Sequence, residues 1–83
     1  MHNPQQLYKY GDWFEVDENG TPSYYWISGK GTERDTGLVF YEISRAVDPN
    51  DSSKDQKLPH TEKAYVFNTR GWKKINNPRR KTP

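Results

Sequence analysis

The sequence predicts a small, mainly β domain of four to five short antiparallel strands, opened by a short N-terminal helix. Three observations carry that expectation. A chain of 83 residues makes one domain and no more, because it buries little over half of the surface it exposes when unfolded. Ten Ile, Leu and Val residues are joined by twelve aromatic ones, so rings must do much of the burying; with a net charge of only +2, this keeps the chain away from the composition that gives disorder. Those rings also fall in short runs of β-formers bounded by turn signals.

The first element is the helix. Asn3-Pro4, then QQLYKY, then Gly11 supplies an N-cap residue, a proline at the first helical position and a glycine stop, enough for two turns at most. A hairpin follows: Trp13-Phe14-Glu15-Val16 and Ser23-Tyr24-Tyr25-Trp26-Ile27 flank Asn19-Gly20, the strongest short hairpin signal. Gly29, Gly31 and Gly37, with charged residues between them, read as a polar loop ahead of a third strand over Leu38-Val39-Phe40-Tyr41-Glu42-Ile43. Phe40, Ile43 and Val47 also fall at helical spacing, which leaves a helix open as the minority reading there. Residues 48–63 hold one large apolar side chain, Leu58, and two prolines, so they read as a long mobile loop. Ala64-Tyr65-Val66-Phe67 reads as a fourth strand, Asn68-Thr69-Arg70-Gly71 as a turn, and Trp72-Lys73-Lys74-Ile75 as a last strand or anchor. The domain is expected over residues 1–75, with residues 76–83 a basic, flexible tail.

Charge divides along the same line. Residues 72–83 carry five cations and no acid, whereas residues 1–71 carry eight cations against eleven acids. A mildly acidic body therefore ends in a basic segment.

Several function classes find no support. Without cysteine there is no disulfide framework, thiolate metal site or cysteine nucleophile. His2 and His60 stand in a terminus and a polar loop, and no serine or carboxylate pattern sets a base beside a nucleophile, so no catalytic residues are expected. Metal-ligand spacings and phosphate-binding glycine fingerprints are missing, and no metal or other cofactor is expected. No apolar run approaches the roughly 18 residues of a membrane span, and the N-terminus lacks the basic start and apolar stretch of a leader, which together predict a soluble intracellular protein without a membrane partner.

The aromatic residues are the informative feature. On a strand, Tyr24 and Trp26 share one face while Tyr25 and Ile27 share the other, so rings cover both faces of the second strand. One face makes core; rings left on the other make an apolar platform of the kind that marks a partner site.

Residues Gly11 to Trp26, GDWFEVDENGTPSYYW, resemble the first two strands of a WW domain, with a tryptophan after glycine on strand one and an aromatic pair eleven residues later. Val39-Phe40-Tyr41-Glu42 stands for that family's third strand. The resemblance implies that Trp13 and Tyr25 are core and that Tyr24 with Tyr41 lines a groove for polyproline segments, which bind at small ordering cost. The departures are an Ile at position 27, a Tyr at position 41 where the family has tryptophan, a loop before strand three about six residues too long, and the lack of the closing proline. Tyr8-Lys9-Tyr10-Gly11-Asp12 and Trp72 more loosely resemble small β modules of carbohydrate-binding and virus tail proteins. An SH3-like barrel and an extended WW-like meander both accommodate the predicted strands.

The function expected is a non-enzymatic binding module with a protein or peptide partner, a proline-rich one included. Tyr24, Trp26 and Tyr41 are the expected surface; Trp13, Tyr25, Phe67 and Ile75 the expected core. The alternative is a nucleic-acid-binding accessory protein in which Lys73, Lys74, Arg79, Arg80 and Lys81 neutralise phosphates while rings stack on bases. A third reading is a structural subunit of a larger assembly.

Overall fold

A computed structural model describes residues 8–79. These residues form one antiparallel sheet from strands β1 (Trp13–Glu18), β2 (Thr21–Thr32), β3 (Val39–Ala46), β4 (Gln56–Lys57), β5 (Glu62–Lys63) and β6 (Lys73–Ile75), with one α-helical turn, α1 (Ala64–Phe67). The order across the sheet is β4-β3-β2-β1-β6, and β5 shares the outer edge of β3 with β4.

The β1–β2 hairpin forms as its turn signal requires. Trp13 pairs with Trp26, Phe14 with Tyr25 and Glu18 with Thr21, leaving Asn19-Gly20 as a two-residue loop. Both loop residues have positive φ, 58° and 85°, the mirror-image turn that matches strand twist and that Asn-Gly adopts most readily. Asp17 accepts a hydrogen bond from the Gly20 N–H at 2.8 Å, closing the turn.

Beyond Ile27 the sequence reading needs correction. The glycines at 29 and 31 lie inside β2, which continues to Thr32 and pairs Gly29 with Glu42 and Gly31 with Phe40. Ser28 is the extra residue of a bulge between Ile27 and Gly29. Glycine at 31 makes room for a close approach: a Cβ there would lie 2.5 Å from the Phe40 ring, which lies across the strand in its place.

Two further expectations change. Ala64-Tyr65-Val66-Phe67 is α1, not a strand. One helical turn sets Ala64 and Phe67 together into the core and leaves Tyr65 and Val66 outside, whereas a strand would have put Ala64 and Phe67 on opposite faces. Residues 48–63 do not form a featureless loop: a 3-10 turn over Ser52–Lys54 is capped by Asp51, and β4 and β5 pair with Ser44–Arg45 and Phe40–Tyr41. Main-chain pairing along the bare edge of β3 orders this polar stretch without apolar side chains, and Leu58 adds the one anchor against the core. The expected N-terminal helix falls mostly outside the described residues; its last part, around Tyr10-Gly11, is a turn.

The core lies on one face of the sheet. Phe14, Tyr25, Ile27, Tyr41, Ile43, Ala64 and Phe67 are buried together, with Tyr8, Val16, Val39, Leu58 and Trp72 packed at their margin. Phe67 is the hub, edge-on to Tyr8, Phe14, Tyr41 and Trp72 at centroid distances of 5.8, 5.2, 5.5 and 5.2 Å. No helix among the described residues is long and apolar enough to cross a membrane.

Candidate functional site: an aromatic cleft on the second face of the sheet

Directly paired residues on neighbouring strands share a face. Trp13, Trp26, Ser44 and Ile75 therefore stand on the face opposite the core, as do Glu15, Tyr24, Ala46 and Lys73. Among the described residues no α-helix packs on this face. Trp13 and Trp26 lie parallel, 10° apart in plane and 6.0 Å between centroids, and Tyr10 meets Trp26 edge-on at 6.3 Å. Trp13 is buried by these neighbours, Trp26 is half-buried, and Tyr10 is 63 % exposed.

An open cleft of about 220 Å³ lies among Tyr10, Gly11, Trp13, Trp26, Asn77 and Arg79. Its Tyr10 wall comes from the turn before β1. Gly11 has φ 90°, a conformation that glycine takes without strain, and its N–H donates to the Ile27 carbonyl at 2.8 Å. The Asp12 carboxylate accepts from the Lys9 N–H at 3.0 Å, and the Asp12 carbonyl receives the Ile27 N–H at 3.0 Å. The Tyr8-Lys9-Tyr10-Gly11-Asp12 stretch is thus a hydrogen-bonded turn that holds the Tyr10 ring over the sheet.

The opposite wall is polar. The Arg79 guanidinium forks onto Asp55, Nη2 to Oδ1 at 2.6 Å and Nη1 to Oδ2 at 2.8 Å. Its Nε donates to the Pro49 carbonyl at 2.8 Å, its Nη2 also donates to the Asp48 carbonyl at 3.2 Å, and its carbon lies 5.0 Å from the centre of the Trp13 ring. Asp55 in turn accepts from the Trp26 indole Nε1 at 3.1 Å. Hydrogen bonds from Arg79, against the opposing effect of burial, hold the Asp55 carboxyl below the usual carboxylate range and raise Arg79 further.

Of the expected surface residues, Tyr24 and Trp26 share this face and are half-buried. Tyr41 does not join them. It is fully buried, on the core face beside Phe67, and its hydroxyl accepts from the Tyr8 N–H at 3.1 Å and donates to the Tyr8 carbonyl at 3.2 Å. The local hydrogen bonds make a buried phenol tolerable. The groove of Tyr24 beside Tyr41 that the WW resemblance implies does not form, because the two rings stand on opposite faces.

Of the expected core, Tyr25 and Phe67 are in it; Trp13 is buried on the other face, and Ile75 is half-buried beside Trp13. The Tyr25 hydroxyl, together with Ser23, donates to Glu18 at the rim. Burial first, and the Glu18 hydrogen bond second, push the Tyr25 phenol up.

The basic residues divide. Lys73 and Lys74 are exposed on the edge strand, Lys74 within 4.0 Å of Asp12. Arg79 is not a free cation in a loose tail: its charge is matched by Asp55. Arg80 and Lys81 lie outside the described residues.

Sequence reasoning missed Tyr10, Asp55 and Asn77. Tyr10 lay inside the Tyr8-to-Asp12 stretch of the looser resemblance without being singled out; Asp55, one of three aspartates in residues 48–63, carried no signal. In comparisons with protein-family models, with curated proteins and with solved structures, none matches this chain.

Proposed function

We propose that the protein is a non-enzymatic binding module that takes an extended peptide segment of a protein partner across the aromatic face of its sheet. The observation that carries this reading is the cleft walled by the exposed Tyr10 ring and floored by Trp13 and Trp26. Rigid rings supply contact area at little conformational cost, and an extended or polyproline segment presents flat apolar surface to them without first having to fold. Tyr24, two residues from Trp26 on the same face, extends the platform along β2.

The lining favours binding over chemistry. Two indoles, a phenol, an amide and a guanidinium already in an ion pair include no activated nucleophile and no free base. We read the sheet as an extended meander rather than a closed barrel, since the end strands β4 and β6 pair inward only. Nucleic acid is the weaker reading, because Arg79 is committed to Asp55 and the cleft face carries Glu15 and Asp55 beside its rings.

Peptide display against the intact chain, with Tyr10→Ala and Tyr24→Ala as counter-screens, tests this. Peptides that bind the parent should lose at least tenfold in affinity with Tyr10→Ala, while its melting temperature stays within about 3 °C, since an exposed ring adds little to stability. Selection of peptides indifferent to Tyr10 would remove the proposal.

A further inference from the structure

We propose that the corner of the cleft formed by Asp48, Pro49, Asp55, Trp13 and Trp26 is an arginine-receiving pocket, filled in this structure by the chain's own Arg79 and open to an arginine of a partner peptide when residues 76–79 lift away. The inference rests on the binding-module reading and adds the ligand class and its control.

The pocket answers a guanidinium group by group. The carboxylate of Asp55 takes the two-pronged edge, the Pro49 and Asp48 carbonyls take Nε–H and a second Nη2–H, and the Trp13 ring takes a face. A planar fork of five donors suits this array and an ammonium does not. The receiving side also has supports that do not involve Arg79. Asp55 is fixed by the Trp26 indole and by its own N–H to the Ser52 carbonyl at 3.1 Å, and the turn beneath is closed by Asp51 N–H to the Asp48 carbonyl and Lys54 N–H to the Asp51 carbonyl. β4 then ties the segment to β3.

The inserted side differs in kind. Residues 76–79 follow the last strand, Asn76 to Pro78 are exposed, and the segment's grip on the loop is the Arg79 side chain, itself 20 % exposed. Charge favours a cation in this pocket: Asp55 grips the guanidinium, Asp48 and Asp51 add negative charge to the same loop, and Lys54 is the one Lys or Arg between residues 48 and 55. A Pro-Arg segment seated beside an aromatic cleft is a tethered copy of the ligand that the cleft would accept from a partner.

The probe is the free octapeptide of residues 76–83, NNPRRKTP, titrated into the full parent chain and into Arg79→Ala at low salt, with the Trp26 indole N–H resonance as the local reporter. A tethered competitor acts at an effective concentration on the order of millimolar, so Arg79→Ala should bind the peptide at least tenfold more tightly than the parent. Citrulline at both peptide arginines should abolish binding, and so should Asp55→Asn in the Arg79→Ala background. Should Arg79→Ala lose its fold, Arg79→Lys takes its place with the same expected tightening; loss of fold in both would make Arg79 a structural strut and overturn the inference. Equal affinity for parent and variant, or equal binding of the citrulline peptide, also overturns it. A displayed peptide that binds both chains equally through Tyr10 would leave the cleft reading intact while removing the latch, whereas no Tyr10-dependent binding of any peptide removes both.

Discussion

Phe67 and Tyr65 sit two residues apart in one helical turn and have opposite fates. Phe67 meets four aromatic partners in the core, while Tyr65 faces solvent. Phe67→Ala should therefore cost about 3–5 kcal/mol, comparable to the whole stability of a domain this size, and Tyr65→Ala under about 0.5 kcal/mol. Chemical denaturation of the two variants checks the contrast; equal costs would mean that α1 does not dock as described. The same contrast shows what single residues disclose in sequence. Strand alternation correctly separated Tyr24 and Trp26 from Tyr25 and Ile27, because a period of two within one strand is fixed by backbone geometry. It could not assign Tyr41, whose face depends on how β3 registers against β2 across the bulge at Ser28. It likewise could not foresee that Ala64 to Phe67, three of whose four residues have good strand character, would close into a turn to reach the core with two of them.

Among the elements, the hairpin was legible because Asn19-Gly20 encodes its own turn, and β6 because Trp72 and Ile75 bracket its two lysines with apolar side chains. The stretch 48–63 was not, since its order comes from main-chain pairing with β3 and from one ion pair to a residue 24 positions away. That ion pair gives the stretch a pH signature. Arg79 holds the Asp55 carboxyl low in the folded protein, so the unfolded chain takes up the proton at higher pH than the folded one. The stabilisation is then fully present above the ordinary aspartate value of about 3.9 and fades as pH falls through the lowered folded value. Asp55→Asn should lose about 1.5–3 kcal/mol at pH 7 and progressively less of it below about pH 4. Thermal melts of parent and variant across that range measure it; a gap that persists at pH 2 would show that the charge of Asp55 is not what matters.

Over the whole molecule, the sheet carries two aromatic layers with different covers. The core layer is closed by α1, Tyr8, Leu58 and Trp72; the second layer, Trp13 with Trp26 and Tyr10, is bordered among the described residues by Arg79 and Asn77. The thin aliphatic content, which in the sequence pointed to rings doing the burying, is thus divided between a fold and a cleft. The charge division between an acidic body and a basic end is bridged in the fold, since the body's Asp55 neutralises Arg79 of the end segment. Mapping amide and indole shifts over the full chain on titration with a display-selected peptide would decide whether that second layer is where partners bind. The expected result is perturbation centred on Tyr10, Gly11, Tyr24 and the Trp26 indole, with Tyr41, Tyr65 and Val66 unmoved; shifts centred on Tyr65 and Val66, or spread evenly over the chain, would contradict it.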